Sequence, residues 1–274
     1  MPYEKELAAA LEAAAAAGRV ILEAYAGFTA IPNARADIST EADRQAQETI
    51  LGRLRRAFPG DALCAEEQTP TLAGAEHTGA RLWVVDPIDG TRGFAMKNGE
   101  FSVMVGFVEE GRIALGVVLE PAAGRLTYAV RGGGCWARDG EGAGPVACRV
   151  TDTASLAEAT LAQSRSRRPD VPSQAVRALG PARVRETYSA GIKLALVARG
   201  EADVYLNDYV NFHDWDICAG QILVEEAGGA VTGLKGEALR YGTPGAWQRQ
   251  GLLATNGLLQ AEALKAWLDR KAAE

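Results

Sequence analysis

The stretch that decides the reading of this chain is Trp83-Val84-Val85-Asp86-Pro87-Ile88-Asp89-Gly90-Thr91-Arg92-Gly93-Phe94. It enters as a buried strand, because Leu82, Trp83, Val84 and Val85 form a short apolar run bounded by charge and proline. Asp86 sits at the strand's end, and Pro87 fixes φ and withholds a backbone donor. Asp89 follows three residues after Asp86. Gly90 permits a sharp turn, and Thr91 stands where a helix can start with unpaired N–H groups. Two carboxylates on one stiff turn, with the Ile88 carbonyl between them, offer the oxygen ligands that hard divalent cations take. The Gly90 and Thr91 N–H groups beside them suit a phosphate. The same residue types also build a plain Asx-turn, in which Asp86 or Asp89 only bonds nearby backbone.

Upstream, Leu7, Leu11, Ala14, Ile21 and Tyr25 recur at helical spacing, so Glu4 to Tyr25 reads as an amphipathic helix. A second helix starts near Thr40, carries Ala46, Ile50, Leu54 and Phe58 on one face, and stops at Pro59-Gly60. Asp43 lies three residues after Thr40, where a capping box puts its acid. Ala62 to Ala65 reads as a strand leading to Glu66 and Glu67, and Thr69 to Gly79 as a polar surface loop. Downstream, Phe101 to Val108 and Arg112 to Leu119 flank Glu109-Glu110-Gly111 as a hairpin, with Leu126 to Val130 as a third strand. From Thr160 onward strand-like and helical runs alternate. Gly191 to Arg199, Asp216 to Ala227 and Gln260 to Lys271 are the clearest helices there. Gly220 weakens the second of these. A division into residues 1–150 and 151–274 falls at the change of rhythm, with most candidate ligands in the first part and Asp216 in the second.

The chain has 274 residues, 47% hydrophobic and 23% charged, in the range of ordinary globular proteins. No apolar run reaches membrane-spanning length and no basic–apolar leader opens the chain, so a cytoplasmic protein is expected. The four cysteines lie far apart in the sequence without a C-x-x-C pair and read as small buried hydrophobes rather than a disulfide framework or a zinc site. Two histidines give a zinc site little to work with. A net charge of −6 argues against a nucleic acid polymer as partner. It leaves room for a small phosphorylated substrate, provided bound cations invert the sign of an acidic cleft.

Four acidic places share one property: Asp43, Glu66-Glu67, Asp86/Asp89 and Asp216 each stand at the edge of an element. Asp43 also suits a helix cap and Asp216 a helix dipole, and spacing alone does not bring them together. Taken in order, Glu66-Glu67, Asp86-Pro87-Ile88-Asp89-Gly90-Thr91 and Trp215-Asp216 followed by Glu226-Ala227-Gly228-Gly229 resemble the inositol monophosphatase superfamily over nearly the whole chain. The resemblance implies an α/β sandwich of alternating helix and sheet layers, and magnesium-dependent, lithium-inhibited hydrolysis of phosphate monoesters with two or three Mg²⁺ ions. Carried over by position, it implies Glu66, Asp86, the Ile88 carbonyl, Asp89 and Asp216 as metal ligands, and Gly90 and Thr91 as the phosphate cradle. Glu66, Thr91 and Asp43 would serve the attacking water, with Glu67 behind them. Phosphomonoester hydrolysis fits such a set, since paired cations activate water and clamp both oxygens.

Arg92-Gly93-Phe94, Lys97 to Val103, Ser164-Arg165-Ser166 and Ser189 to Leu194 resemble the bacterial 3'(2'),5'-bisphosphate nucleotidase branch. That implies adenosine 3'(2'),5'-bisphosphate as substrate, with Ser164, Arg165 and Lys193 on the substrate side and Lys193 and Arg165 meeting the second phosphate or the base. Ser189, Ala190 and Gly191 depart from that branch's pattern. Inositol-specific relatives carry an acid where this chain has Tyr209, although Asp208 or Asp214 lies close. The alternatives are inositol monophosphate or fructose 1,6-bisphosphate hydrolysis and, from another class, a non-catalytic cation-binding protein. The chain is expected as a monomer or homodimer with no membrane partner.

Overall fold

The alanine-rich N-terminus forms α1 (Glu4–Gly27), and α2 (Glu41–Ala57) packs beside it. The structure is a computed structural model that describes residues 2–273 except 36, 141, 167 and 169. Next come β1 (Ala62–Ala65), α3 (Pro70–Ala73), β2 (Arg81–Asp89), α4 (Thr91–Ala95), β3 (Ser102–Glu109), β4 (Arg112–Glu120), β5 (Arg125–Val130), β6 (Gly134–Asp139) and β7 (Val146–Ala147). These strands form one seven-stranded sheet in chain order, with β1 and β2 parallel and every later pair antiparallel. The second half holds β8 (Thr160–Gln163), α5 (Gln174–Leu179), β9 (Arg183–Glu186), α6 (Ala190–Ala198), β10 (Val204–Asn207) and β11 (Phe212–His213). It continues with α7 (Asp214–Glu226), β12 (Ala230–Thr232), β13 (Trp247–Gln248), β14 (Leu252–Thr255) and α8 (Gln260–Ala273). Its main sheet runs β12-β14-β10-β8-β9, and β11 pairs with β13 in a small ribbon.

Side-chain alternation explains the layers. Trp83 and Val85 of β2 join α1 and α2 in one core, while Leu82 and Val84 join α6 and α7 in another. The strand is therefore buried on both faces, which is why its sequence is continuously apolar. Tyr205 of β10 faces α6 and α7, and Val204 and Leu206 face α5 and α8. The order is helices, sheet, helices, sheet, helices, as expected of the alternating α/β sandwich. Each fully buried Leu, Ile or Phe side chain in these cores stabilises the fold by ~1.5–3 kcal/mol.

Glycines set the spacing of the central helices. A Cβ on Gly116 of β4 would stand 2.2 Å from the Ala219 carbonyl oxygen, and one on Gly220 of α7 would stand 2.3 Å from Leu194 of α6. Gly220 thus gives up helix propensity for close approach of α6.

Several expectations need correction. The run Asp86 to Asp89 is a bulged continuation of β2 rather than a turn beyond it. Thr69 to Gly79 contains the short helix α3. The strands β6, β7, β11, β12 and β13 were not expected, and α7 begins two residues before Asp216. All four cysteines are buried and free, as expected, and the β6–β7 register makes Cys135 and Cys148 neighbours. Among the described residues, no helix is long and apolar enough to cross a membrane.

Candidate active site

Parallel pairing puts the ends of β1 and β2 at one edge: Ala65 lies opposite Val85, so Glu66 emerges beside Asp86. In a regular strand, residues three apart face opposite sides. Here Asp86 pairs with Met104 and Asp89 with Ser102, so Pro87 and Ile88 oppose Val103 alone. That extra residue is a β-bulge, and it turns both carboxylates to the same side. Pro87 is tolerated there because it owes the ladder no donor. Gly90 then takes φ +87°, and a Cβ on it would meet the Glu100 carbonyl oxygen at 2.8 Å.

Two helix starts deliver the remaining acids. Asp216 sits in the first turn of α7 and accepts the His213 backbone N–H at 2.5 Å. Asp43 sits in the first turn of α2 and accepts the Thr40 N–H at 2.8 Å and its hydroxyl at 2.6 Å. The Thr91 hydroxyl lies 2.8 Å from Asp43 Oδ1 and 2.8 Å from the Ile88 carbonyl oxygen. It has one proton for the two acceptors. A cavity of about 420 Å³ is lined by Glu66, Asp86, Ile88, Asp89, Gly90, Thr91 and Asp216, and by Arg92, Ser164, Arg165 and Lys193. Asp43 stands behind Thr91, and Glu67 accepts the Ser39 hydroxyl at 2.6 Å.

The acids are crowded and short of partners. Burial first, then Glu66, Asp89, Asp216 and Asp43, holds the Asp86 carboxyl well above its ordinary range. Its Oδ1 is buried and unpartnered among the described residues. Glu66 is exposed and Asp216 half-buried, yet the protein packed around the cavity strips water from both: desolvation and then Asp216 push Glu66 up to about 8, and desolvation pushes Asp216 up to about 7. Asp43 is also raised by burial. A divalent cation would answer both the orphaned oxygen and the like-charge crowding. The donors are all hard oxygens, which fits Mg²⁺. Among the described residues, no group of three or more His, Cys, Asp or Glu forms a ready-made metal site.

Asp89 differs from Asp86. It accepts the Ala190 N–H at 3.1 Å, the Gly191 N–H at 2.7 Å and the Ser102 hydroxyl at 3.2 Å, and it also accepts the Ser189 hydroxyl. The segment 189–191 therefore grips Asp89 at the start of α6.

The cations expected on the substrate side are largely engaged. Lys193 is buried, and its ammonium donates to Ser164 Oγ (3.2 Å), the Thr187 carbonyl (3.1 Å) and the Tyr188 carbonyl (3.2 Å). Burial lowers its pKa to about 8. Arg165 pairs with Glu100. Arg92 is different: its guanidinium lies 4.9 Å over the Tyr188 ring, and its buried Nε is unpartnered among the described residues. In the sequence Arg92 figured only in the likeness to one branch. Its place directly after the Gly90-Thr91 corner was the signal for a binding role. Asp214 is committed to the Gly242 N–H (2.8 Å) and the Gln248 amide (2.7 Å). Asp208 lines a smaller adjoining cavity of about 300 Å³ that shares Ser164, Tyr205 and Asn207 with the main one.

The profile of the inositol monophosphatase family matches residues 3–272. The chain is 35% identical over 231 residues to a fructose-1,6-bisphosphatase/inositol-1-monophosphatase of Thermotoga maritima, covering 84% of this chain and 82% of that one. It is 32% identical over 233 residues to a 3'(2'),5'-bisphosphate nucleotidase of Salmonella typhimurium, covering 82% and 89%. Among solved structures, a T. maritima IMPase superimposes with a TM-score of 0.79 at 29% identity, covering 96% of this chain and 97% of that one.

Proposed function

The chain belongs to the inositol monophosphatase family, and on that premise we propose that it hydrolyses phosphate monoesters with Mg²⁺ held by Glu66, Asp86, Asp89, Asp216 and the Ile88 carbonyl. The observation that carries this reading is the partnerless Asp86 Oδ1, buried among other carboxylates at the wall of one cavity. Magnesium bound there would neutralise phosphoryl oxygens and lower the pKa of a water.

The chain's own groups do the rest. Thr91 gives its proton to Asp43 Oδ1, and the lone pairs left on Oγ1 accept a hydrogen bond from the attacking water. Asp43, fixed by Thr40, keeps that hydroxyl in place and is the proton's final acceptor. Gly90 bends the chain so that its own and the Thr91 N–H groups meet the phosphate. A covalent intermediate is not needed. His213 is stacked against Trp215 with ring centroids 4.3 Å apart, and His77 contacts the Leu63 carbonyl at 3.2 Å, so neither is spent on activating a serine.

The preferred substrate is adenosine 3'(2'),5'-bisphosphate, giving AMP and phosphate. Arg92 supplies an unspent donor for the second phosphate, and the adjoining chamber past Ser164, Tyr205 and Asn207 gives a nucleoside room. A sugar bisphosphate is the second reading, favoured by the 35% identical relative. Inositol monophosphate is less well served, because Asp214 is committed elsewhere and Asp208 lines only the side chamber. The test is phosphate release from adenosine 3',5'-bisphosphate, fructose 1,6-bisphosphate and inositol 1-phosphate, each with Mg²⁺, with chelator and with Li⁺. Chelator-sensitive turnover fastest on the nucleotide supports the proposal. No turnover of any of the three would favour a cation-binding protein without catalysis.

A further inference from the structure

β6 and β7 form one edge of the seven-stranded sheet, with Trp136 opposite Ala147. One step along that ladder stand Cys135 and Cys148, and the Cys148 N–H donates to the Cys135 carbonyl at 2.8 Å. Residues directly opposed in an antiparallel pair have Cα atoms ~4.5–5.5 Å apart, inside the ~4.4–6.8 Å that a disulfide spans. Both side chains stand on one face of that ladder and join the same apolar core.

A cation is held beside them. Arg199 uses Nη1 on Glu120 Oε1 and Thr127 Oγ1, each at 2.8 Å, and Nε on Glu201 at 2.8 Å. Its Nη2 is buried and unpartnered among the described residues. The neighbouring Cys135 thiol, followed by the charges of Arg199 and Arg125, holds the Cys148 thiol below its ordinary pKa against its burial and the charge of Glu201. The other two cysteines lack this help: burial pushes Cys64 up to about 12 and Cys218 well above the ordinary range.

We propose that Cys135 and Cys148 are an oxidation site for hydrogen peroxide, with Cys148 as the attacking thiolate and Cys135 as the resolving thiol. The Cys148 thiolate attacks one peroxide oxygen and the O–O bond breaks. The other oxygen leaves as hydroxide and becomes water by taking a proton, and Cys148 is left as a sulfenic acid. Cys135 loses its proton, attacks the Cys148 sulfur and expels the second hydroxide, which takes that proton. Two thiols and one peroxide become one disulfide and two waters. Cys148 keeps 9% of its surface exposed, which suits a peroxide better than a bulky disulfide reagent. The bridge would staple the sheet edge to the segment that leads into the second half of the chain. This inference is independent of the substrate.

The test is peptide mapping of the intact, folded protein after brief hydrogen peroxide treatment. Trypsin separates the pair into peptides 132–138 and 139–149. The expected result is one cross-linked species of those two peptides, lighter by two hydrogens, while Cys64 and Cys218 stay reduced. In Cys135→Ser, a dimedone adduct should collect on Cys148. In Cys148→Ser, Cys135 should stay unlabelled. The proposal is overturned if wild-type protein that remains folded by circular dichroism shows no 132–138/139–149 cross-link, or if Cys64 and Cys218 oxidise as fast as Cys148. The wild-type arm decides the matter even if a serine variant fails to fold.

Discussion

Asp86 and Asp89 look equivalent as proposed cation ligands, yet their surroundings require opposite effects on stability. Asp89 accepts from two backbone N–H groups and the Ser189 hydroxyl at the start of α6, and from the Ser102 hydroxyl of β3. In Asp89→Asn the amide nitrogen must face at least one of these donors. A lost charge-assisted bond costs ~1.5–3 kcal/mol and the lost interaction with the helix dipole ~0.3–2 kcal/mol. The remaining carbonyl oxygen keeps part of the set, so the net loss is ~2–4 kcal/mol. Asp86 is the reverse case, with a partnerless Oδ1 and four acids pressing on it. Asp86→Asn removes the carboxyl whose ionisation burial and those acids oppose, without breaking a bond at that oxygen, for a gain of ~0.5–2 kcal/mol of the kind found when functional strain is relieved. At ~2–4 °C per kcal/mol, calorimetry in chelator should show Asp89→Asn melting ~4–16 °C below wild type and Asp86→Asn ~1–8 °C above it. Added Mg²⁺ should stabilise wild type by ~2.7 kcal/mol at a hundred times its Kd and stabilise both variants far less. Phosphate release should be nearly abolished in both. If Asp86→Asn melts below wild type in chelator, the crowding argument is wrong. If it responds to Mg²⁺ as wild type does, Asp86 is not a ligand.

Three further outcomes follow from single contacts. Gly220→Ala should lower the urea midpoint, because overpacking against Leu194 at 2.3 Å costs ~1–3 kcal/mol, more than the ~1 kcal/mol gained in helix propensity; an unchanged or higher midpoint would mean that α6 and α7 separate freely. Lys193→Met isolates a pH dependence. With the folded pKa lowered to about 8, the folded state releases a proton that the unfolded state keeps up to its ordinary value of 10.5. The penalty is full below pH 8 and is relieved between pH 8 and 10.5, so wild type should gain ~3 kcal/mol on the variant across that window; a flat difference in denaturant titrations would contradict it. Thr91→Val should lower kcat by ~10²-fold or more with a smaller change in KM, whereas Thr91→Ser keeps the hydroxyl and most of the rate; equal losses in the two variants would separate the hydroxyl from water positioning.

How much of the site was legible follows from what a sequence can encode locally. Thr40 to Asp43 announced a helix start, and that start puts Asp43 against Thr91. The acids before and after the apolar runs announced strand ends. What the sequence did not hold was the bulge. Period-two logic sets Asp86 and Asp89 on opposite faces, and their convergence depends on Val103 of a neighbouring strand being a single residue opposite two. A turn reading reached the same convergence through the wrong backbone. The strands β6, β7, β11, β12 and β13 were illegible for a related reason. They are short or glycine-bracketed, and pairing partners elsewhere in the chain define them rather than any alternation of their own.

Lys193 carries the point into specificity. From sequence, a lysine near a candidate phosphate site reads as a free cation. In the fold it is fully enclosed, and an ammonium has three protons, all three of which are matched by Ser164, Thr187 and Tyr188. A substrate phosphate would have to displace one of these acceptors. Lys193 therefore acts first as a strut that holds Ser164 and the 187–188 carbonyls against the cavity, and only secondarily as a positive field. The donor left over is Arg92, whose Tyr188 neighbour is held by that same strut. On the proposed bisphosphate reading, discrimination between one phosphate and two would turn on Arg92. Arg92→Gln should cut kcat/KM for bisphosphates ~10-fold or more and leave a monophosphate within a few-fold, since a charged hydrogen bond to one phosphate contributes ~1.5–3 kcal/mol. Equal losses on both substrates would return the second phosphate to Arg165 and require the Glu100 pair to open.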